Sequence, residues 1–520
     1  MKKLYITTPL YYVNAKPHIG HSYTQIICDM AGRFAKQCGR EVFFMTGTDE
    51  HGEKIEKAAQ EAGFKKGQEK KFVNTIVPHF KKLWKKLNIE YDHFIRTTEE
   101  VHEETVKKVL SILYEKKKIY KKVYKGYFCT PCEMFWTDTH APDGICPDCK
   151  RKLEKLDEEN YFFKISEYQK DLIEYIKDKP DFILPVIRRN EVLSFLEKNE
   201  LQDLCISRPK TRLSWGIEIP FDKNFVTYVW LDALVNYISG IGYLDDRKRF
   251  DSLWPNVTHV IGKDILRHHA IYWPIMLLAL DEKPPQHIFT HGWWMVEDEK
   301  MSKSKGNIVD PIGVIDKYGV DAFRYYLLSA VPFGYDGTFS ERLFVERYNN
   351  DLANDLGNLL NRTLTMLDKY FDGVVPEIQP SSCDKDIKDA VQDIPLKVGC
   401  GLLHFNSSSA LRDILKLVNK ANKHIEWKAP WKLAKDNKES LSAVMYELIQ
   451  AIGIIAVVIY SFMPDTARKM WKQLGMKSDI ASVKLYIANV KEKEKFWGII
   501  PSGTKIRKGK PLFPRIEVNK

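Results

Sequence analysis

The sequence predicts an α/β fold in which a parallel sheet, covered by helices and split by a small insertion, is followed by an all-helical bundle. Three observations predict this fold. Apolar strand-like segments alternate with helical patterns at the start of the chain and again after residue 220. Four cysteines lie in a turn-rich stretch between these two parts. A long leucine stripe at helical spacing comes after both parts of the sheet.

The N-terminal part of the sheet is predicted from a strand, a helix and a second strand. The strand patterns cover 4–13 and 40–52, and the helical pattern between them covers 22–37. Lysine-rich helical patterns continue to about residue 118. Buried strands joined by helices are typical of parallel sheets, and ligands bind beyond the carboxyl ends of such strands. The polar stretches NAKPHIGH and TGTDEHG both occupy that position.

The rest of the chain divides at two changes of pattern. Short strands and turns from 119 to 220 predict an insertion, and apolar strand patterns resume at 224–234, 257–264 and 287–296. From about residue 341 the pattern is helical. The chain of 520 residues is too long for one hydrophobic core, so several domains are expected.

Composition indicates a globular protein with a basic surface. The chain is 44% hydrophobic and 29% charged, with a formal net charge of +11. Each lysine cluster alone can be a solvated helix face, but together they suit a polyanionic partner. The longest apolar run, 451–463, falls short of the ~20 residues that cross a bilayer, so we expect a buried helix and a cytoplasmic protein.

Four of the nine cysteines form two Cys-x-x-Cys pairs, CTPC and CPDC. Two such turns present four sulfurs, which complete a tetrahedral shell for zinc. A redox role would need only one pair and would leave the second unexplained. We therefore predict one structural zinc, with no open coordination position, bound by Cys129, Cys132, Cys146 and Cys149.

The stretch KPHIGHSY places two histidines around a glycine, just after a predicted strand and at the start of a helix. They could be ordinary polar residues at a turn. At a helix N-terminus, however, their N–H groups would lie beside the positive end of the helix dipole, which favours phosphate. A second basic stretch, EKMSKSKGN at 299–307, could by itself be a basic surface loop. The chain contains neither of the usual glycine-rich phosphate motifs.

Together these two stretches resemble the signatures of class I aminoacyl-tRNA synthetases, His-Ile-Gly-His and Lys-Met-Ser-Lys-Ser. The resemblance narrows to the methionyl-tRNA synthetases through TTPLYYVN, TGTDEHG, YVWLDAL, VIGKDILRHHAIYWP and KAPW, and it runs over nearly the full length. It implies a Rossmann-like catalytic domain and the activation of L-methionine by ATP. It also implies Mg²⁺ with the ATP, and transfer of the methionyl group to initiator and elongator tRNA(Met).

The resemblance also assigns residues to the two substrates. The catalytic residues are expected to be His18, His21, Lys300 and Lys303, with Lys303 acting most directly on the departing phosphates. ATP would be bound by His18, Gly20, His21, Lys300, Met301, Ser302, Lys303 and Ser304. Methionine would be bound by Pro9, Leu10, Tyr12, Asp49, Trp230, Leu234, Tyr237, Asp264, Ile265, His269 and Trp273, with Asp49 holding the ammonium group. Arg208 matches a further polar position of the active site, and Leu234 departs from relatives that carry proline there.

The helical domain is expected to read the anticodon. The leucines of DLANDLGNLLNRTLTML cluster on one face, and Asn358 and Arg362 lie opposite them. Amide and guanidinium groups read unpaired base edges, and aromatic rings stack on bases. By resemblance Asn358, Arg362 and Trp431 are the anticodon residues, although Trp431 could also be a core residue at a helix start.

The expected domain division follows from these assignments. The segments are the first half of the catalytic domain (1–118), the zinc-bearing insertion (119–220), the second half (221–296), the KMSKS loop and stem-contact region (297–345), the anticodon-binding domain (346–490) and a tail packing back on the body (491–520). The dimerising barrel that extends many bacterial relatives has no counterpart in this sequence, so a monomer is expected.

Other classes of protein explain only part of the sequence. A metabolic nucleotidyltransferase would share the histidine signature but needs neither KMSKS nor an RNA-reading domain. A zinc-dependent nucleic-acid-binding module would explain the charge and the cysteines but not HIGH. The synthetases for leucine, isoleucine and valine carry a large editing insertion, whereas 119–220 resembles only a small zinc-bearing one.

Overall fold

The computed structural model describes most of the chain, in the following ranges: 3–129, 134–136, 141, 143–147, 150–296, 299–300, 309–379, 383–403, 405–485 and 494–517. Within these ranges the fold consists of a parallel sheet with helices on both faces, three smaller sheets of four, three and three strands, and a helical C-terminal region. The predicted α/β class is therefore confirmed.

The first part of the main sheet alternates strands with helices. Its elements are β1 (Leu4–Thr7), β2 (Tyr11–Tyr12), α1 (Ile19–Gln37), β3 (Val42–Asp49), α2 (Glu53–Glu61), α3 (Glu69–Lys86), β4 (His93–Arg96) and α4 (Glu100–Glu115). Pro9 lies between the first two strands, since proline has no N–H to donate to a sheet.

The middle segment forms a four-stranded antiparallel sheet and a three-stranded one. Its elements are β5 (Ile119–Cys129), β6 (Met134–Trp136), β7 (Glu154–Phe163), α5 (Gln169–Asp178), β8 (Ile183–Leu184), α6 (Val186–Lys198), β9 (Leu204–Cys205), β10 (Ser207–Pro209), β11 (Glu218–Ile219) and β12 (Asp222–Thr227). Strand β8 belongs to neither of these sheets, because it pairs in parallel with a later strand of the main sheet. The segment expected as an insertion thus contributes one strand to the main sheet.

The main sheet then resumes. The elements of this part are α7 (Val229–Ser239), α8 (Arg247–Leu253), β13 (Val257–Gly262), α9 (Trp273–Ala279), β14 (His287–His291), β15 (Trp294–Val296), β16 (Glu299–Lys300), α10 (Pro311–Tyr318), α11 (Val320–Ser329) and β17 (Gly337–Phe339). The strand order is β2-β3-β1-β13-β14-β8, with β4 also paired to β3, and every pair is parallel. All carboxyl ends of these strands therefore lie along one edge.

The C-terminal region is helical. Its helices are α12 (Glu341–Arg347), a π-helix (Tyr348–Gly357), α13 (Asn358–Phe371), α14 (Lys385–Leu403), α15 (Ser407–Lys428), α16 (Pro430–Asp436), α17 (Lys438–Ile459) and α18 (Pro464–Gln473). Among the described residues, α17 is the one helix long and apolar enough to cross a bilayer, but 94% of its apolar window is buried in the protein. The buried helix predicted for the apolar run is therefore present.

Helix α1 lies between the main sheet and the helical region. The side-chain amide of Gln37 donates to the carbonyl of Val457 (3.2 Å), and the guanidinium of Arg33 donates to the hydroxyl of Tyr460 (3.0 Å). The C-terminal segment also contacts the helical region, because Asn349 and Ile516 exchange two hydrogen bonds of 2.9 Å. One hydrophobic core extends from a face of the sheet through α1 into the bundle.

Candidate active site

The two histidines of the HIGH stretch cap the N-terminus of α1. His18 is the N-cap residue, with an extended backbone, and its Nδ1 accepts the N–H of Gly20 at 3.1 Å. In return the N–H of His18 donates to Nδ1 of His21 at 3.0 Å. Because both Nδ1 atoms are acceptors, each neutral ring carries its proton on Nε2. The cap therefore sets the tautomer of both histidines and makes each Nε2 a donor.

The pair of rings is closely packed. The ring centroids of His18 and His21 lie 3.9 Å apart, and Tyr11 contacts His21 edge-on at 4.9 Å. A Cβ on Gly20 would lie 3.0 Å from Cε1 of His18, so this position needs a glycine for close approach of the ring. Burial, together with His18, lowers the pKa of His21 well below its ordinary value. His21 is therefore neutral at physiological pH and acts as a hydrogen-bond donor.

The chain segment that leads into the second signature contacts the first two turns of α1. The hydroxyl of Thr24 lies 2.8 Å from Nε2 of His291, and the ring of Tyr23 packs edge-on against Trp294 with centroids 5.5 Å apart. Trp294 starts β15, which pairs with β16, and the register sets Met295 opposite Lys300. The backbone at Lys300 is thereby connected to the HIGH helix through a short hairpin.

Most of the second signature lies outside the described residues. The undescribed residues include Met301, Ser302, Lys303 and Ser304. For Lys300 only the backbone is described. Their expected roles stay predictions.

Three expected site residues, together with His291, lie at or after the carboxyl ends of parallel strands of the main sheet. Asp49 ends β3, Asp264 follows β13, His291 ends β14, and His18 follows β2. Parallel strands bring these positions to one edge of the sheet. Asp49 is buried, with 4% of its surface exposed, and the register pairs it with Tyr12. Pro9 and Leu10, partly buried, lie in the turn before Tyr11.

Helix α7 supplies one wall of the expected methionine pocket. Trp230, Leu234 and Tyr237 follow one another at helical spacing, so they share a face of α7. Leu234 is 4% exposed and Tyr237 1% exposed, both within one hydrophobic core. The ring of Trp230 contacts that of His268 edge-on, with centroids 3.8 Å apart.

A hydrogen bond connects this wall to the π-helical turn His268–Tyr272, which leads into α9. Nδ1 of His269 lies 2.9 Å from the carbonyl of Ile265, so it carries the proton, and Nε2 accepts the hydroxyl of Tyr237 at 2.7 Å. Trp273 donates its indole N–H to Nε2 of His259 at 3.2 Å. Burial lowers the pKa of His269 to about 4, so its ring is neutral and the site gains no cation here.

Asp264 occupies the rim of this region. It accepts the indole N–H of Trp293 at 3.1 Å. The ring centroid of Trp293 lies 4.0 Å from Nζ of Lys263, which is positioned over the ring. Lys263 forms an ion pair of 2.6 Å with Asp336. These contacts connect the end of β13 to the segment that precedes the hairpin.

Arg208 lies between two aromatic rings. Its guanidinium carbon is 4.7 Å from the ring centroid of Phe128 and 4.3 Å from that of Tyr228, and the residue is 2% exposed. Phe128 belongs to the inserted sheet, and Tyr228 precedes α7. Arg208 therefore joins the insertion to the wall that carries Trp230.

Sequence reasoning missed a buried network behind this wall. Oδ2 of Asp232 lies 2.7 Å from Nδ1 of His51, and Oδ1 lies 2.7 Å from Nε2 of His102. Nδ1 of His102 completes the chain at Ser239 (2.8 Å). All of these residues are at most 4% exposed. His51 and Asp232 belong to TGTDEHG and YVWLDAL, the two motifs that signal this network, but neither residue has an evident role in the sequence alone.

Two of the four zinc-site cysteines can be located. Cys129 ends β5, and it shares a small buried cluster with Cys146, Ala141 and Leu153. Cys132 and Cys149 lie outside the described residues. Within the described part of the chain, no group of three or more His, Cys, Asp or Glu side chains is arranged around a metal position. One cysteine from each Cys-x-x-Cys pair is thus buried in the same cluster, as expected if the two pairs bind one metal ion.

The three expected anticodon residues lie on the helical region. Asn358 begins α13 and is exposed, and the guanidinium of Arg362 lies 3.7 Å from Glu426 of α15. Trp431 lies in the first turn of α16, after the buried Pro430, and is 44% exposed.

The chain matches a family profile and many known relatives. The profile described as tRNA synthetases class I (M) matches residues 4–158 and 151–364. A methionine--tRNA ligase of Caldanaerobacter subterraneus subsp. tengcongensis is 48% identical over 100% of this chain and 80% of its own length. One of Clostridium acetobutylicum is 46% identical over 100% of this chain and 79% of its own length.

Solved structures give the same result. The Mycobacterium tuberculosis methionyl-tRNA synthetase in complex with methionyl-adenylate superimposes with a TM-score of 0.91 at 36% identity, covering 99% of this chain and 100% of that one. The apo form of the same synthetase gives 0.84 at 32% identity, covering 100% of this chain and 99% of that one. The chain therefore belongs to the methionyl-tRNA synthetase family of class I tRNA synthetases.

Proposed function

We propose that the chain activates L-methionine with ATP and transfers the methionyl group to the 3'-terminal adenosine of tRNA(Met), for initiation and elongation. The observation that carries this proposal is the contact of Thr24 and Tyr23 with His291 and Trp294. It supports a single active site in which the HIGH helix and the hairpin leading to KMSKS act together. Family membership supports methionine as the amino acid.

In the first step a carboxylate oxygen of methionine attacks the α-phosphorus of ATP, and the bond to the bridging oxygen breaks to release pyrophosphate. Negative charge builds up on the phosphates, so positioning and electrostatic stabilisation are the main contributions. We assign His18 and His21 to donate from Nε2 to phosphate oxygens, beside the positive end of α1. Lys300 and Lys303 would neutralise the departing pyrophosphate, and Mg²⁺ bound with ATP would share that charge.

For methionine we assign Asp49 to the ammonium group and an apolar wall to the thioether. Trp230, Leu234 and Tyr237 supply this wall from α7, and aromatic rings favour contact with sulfur. The bond between Tyr237 and His269 fixes the hydroxyl as a donor toward His269. In the second step the tRNA hydroxyl attacks the carbonyl carbon of the adenylate, and AMP leaves.

We further propose one structural zinc per chain, bound by Cys129, Cys132, Cys146 and Cys149. Four thiolates would saturate the metal, so it would stabilise the insertion without taking part in catalysis. The burial of Cys129 and Cys146 in one cluster supports a shared site. We also propose for this chain the domain division and the site residues that its sequence predicts.

We propose that Asn358, Arg362 and Trp431 read the anticodon, and that the enzyme is a cytoplasmic monomer. The apolar faces of the helical region support a monomer, because leucines 352, 356, 359, 360, 364 and 367 are all buried. Light scattering should give a mass near 60.6 kDa. A stable species of twice that mass would contradict this assignment.

The reaction is tested by pyrophosphate exchange with each amino acid in turn, followed by charging of tRNA(Met). Exchange that depends on methionine, together with charging, is the expected result. Exchange with another amino acid, or exchange without charging, would overturn the proposed function.

A further inference from the structure

The most exposed large apolar side chain of the described residues lies in the helical region, outside the sites assigned above. Trp427, one residue before the end of α15, is 79% exposed. Tryptophan is highly buried on average, so an indole ring this exposed is unusual. The ammonium of Lys428 lies 5.3 Å from its centroid, so a cation already borders the ring.

Trp427 borders a groove of about 530 Å³ between α14 and α15, within the range of about 300–1,000 Å³ that is typical of small-ligand sites. Lys416, Lys420 and Lys423 continue from Trp427 along α15, three or four residues apart, and so lie on one face. The groove thus combines a flat aromatic surface with a row of cations.

Asp384 and Asp386 also line the groove, but neither forms an ion pair with Lys420 or Lys423. Asp384 forms an ion pair of 3.1 Å with Lys428, and it also accepts the N–H of Asp386 at 3.0 Å. Lys416 pairs with Asp413 at 2.8 Å. Lys420 and Lys423 have no ion pair with any carboxylate in the described part of the chain, so both ammonium groups can bind phosphate.

Trp427 is close along the chain to residues that are proposed to read the anticodon or that contact them. Glu426, next to Trp427 on α15, contacts Arg362 of α13 at 3.7 Å. Trp431 follows in the next helix, after Ala429 has turned the chain through a left-handed conformation (φ 45°). Trp427 and Trp431 therefore lie on either side of the junction between α15 and α16.

We propose that Trp427 is a second base-stacking site, which binds a nucleotide of the anticodon loop next to the anticodon triplet. Its base would stack on the indole, and its phosphates would bind Lys420 and Lys423. Stacking on an aromatic ring accepts any base, so this site adds affinity without reading sequence. The inference rests on the proposed function, because it takes tRNA as the partner.

Binding of a hairpin RNA with the sequence of the anticodon arm of a methionine tRNA tests the site. Trp427→Ala should weaken binding by about 5- to 100-fold, the range expected for one stacked base, whereas Trp427→Phe should retain most of it. Removing the base at one loop position should weaken RNA binding by the parent to the same extent. The same removal should cause no further loss of affinity in Trp427→Ala. Equal affinity of parent and Trp427→Ala would overturn the proposal, as would equal losses in the variant for every base removed.

The lysines are tested separately, with a matched control. Lys420→Ala combined with Lys423→Ala should reduce the slope of log affinity against log salt by about 0.7 for each phosphate that the double variant no longer binds. Lys397→Ala, which removes an exposed lysine of α14, should leave the slope unchanged. An unchanged slope in the double variant would overturn the phosphate assignment.

Two outcomes separate this inference from the proposed function. A parent enzyme that charges tRNA while Trp427→Ala binds the hairpin normally would overturn only the second stacking site. A parent enzyme without methionine-dependent pyrophosphate exchange would overturn the proposed function itself. Trp427→Ala should leave that exchange unchanged, because the groove lies on the helical region.

Discussion

Arg324 of α11 and Asp29 of α1 form an ion pair at 2.6 Å, with both side chains at most 1% exposed. Arg324 also donates to the carbonyls of Phe462 (2.8 Å) and Leu87 (3.0 Å). One guanidinium thus joins the HIGH helix, the segment after the second signature and the helical region. Although burial opposes ionisation, Arg324 and Arg33 lower the pKa of Asp29 below its ordinary value.

We expect Arg324→Leu to reduce the free energy of unfolding by about 3–5 kcal/mol, because it removes a buried partner of Asp29 and the donor to the carbonyls of Phe462 and Leu87. Arg33 still pairs with Asp29 at 2.8 Å, so the carboxylate keeps one partner. Denaturant titration measures the loss. Arg342→Leu is the matched control, since Arg342 is exposed and its ion pair with Glu346 spans 3.5 Å, so a change of about 0.5 kcal/mol or less is expected. Equal losses in the two variants would show that the buried pair contributes little.

A second prediction concerns pH and the network of Asp232. Burial opposes the charged form of both residues, but each residue stabilises the charged form of the other. As a result His51 lowers the pKa of Asp232, and Asp232 raises the pKa of His51. A lowered carboxylate pKa stabilises the fold above about pH 4 and loses its effect as the pH falls. A raised histidine pKa stabilises the fold below about pH 6.5 and loses its effect as the pH rises through the folded pKa.

The contribution of the pair is therefore largest between about pH 4 and pH 6.5. In Asp232→Asn the difference in unfolding free energy between pH 5.5 and pH 8.5 should be smaller than in the parent. The KM for methionine should also rise, because Asp232 positions the helix that carries Trp230 and Leu234. Asp251→Asn, which removes an exposed carboxylate paired with Arg247, should change neither quantity. An unaltered pH profile in Asp232→Asn would contradict the assignment.

Local patterns predicted the elements that surround the site. The period of the apolar residues indicated β3, α1 and the leucine-rich helices, because each buries a face whose spacing is set by its own backbone. The strand pattern at 4–13 became two short strands, since Pro9 cannot donate to the sheet. The leucine stripe spans a π-helix and α13, and its leucines remain buried through the change of helix type.

Contacts between distant parts of the chain could not be predicted in this way. Strand β8 is only two residues long and joins the main sheet from within the insertion segment, which no local period indicates. Likewise Asp232, His51 and His102 meet only because α7 packs on α4 and on the end of β3. Taken one by one, these residue types are equally compatible with a position on the surface or in a ligand-binding site.

For the second signature we predict a large loss of adenylate formation in Lys303→Ala. The charge of Lys303 matters most as pyrophosphate departs, so kcat should fall while the affinity for methionine stays nearly unchanged. Pyrophosphate exchange at saturating methionine measures the effect. Lys305→Ala, in the same segment but outside the KMSKS letters, is the control. Equal exchange by Lys303→Ala and the parent would remove Lys303 from the catalytic residues.

For the cysteines we predict close to one zinc per chain, measured by elemental analysis. Chelation or Cys146→Ser should release the metal and loosen the inserted sheet, while the helical region stays folded. Limited proteolysis would locate the loosened segment. Cys383→Ser, a substitution outside the two Cys-x-x-Cys pairs, should retain the metal. A metal-free preparation with full activity would show that the four cysteines have another role.

Substitution of Trp431 tests RNA recognition separately from the formation of the adenylate. It is 44% exposed at the start of α16, so truncation should leave the fold intact. Trp431→Ala should lower the kcat/KM of tRNA charging by an amount equivalent to about 1–3 kcal/mol, the value of one stacked base. Methionine-dependent pyrophosphate exchange should stay nearly unchanged, because the active site lies at the edge of the parallel sheet. Trp431→Phe should restore most of the charging, since a phenyl ring can still stack. Comparable losses in exchange and charging, together with a lower unfolding temperature, would instead assign Trp431 to the core of the helical region.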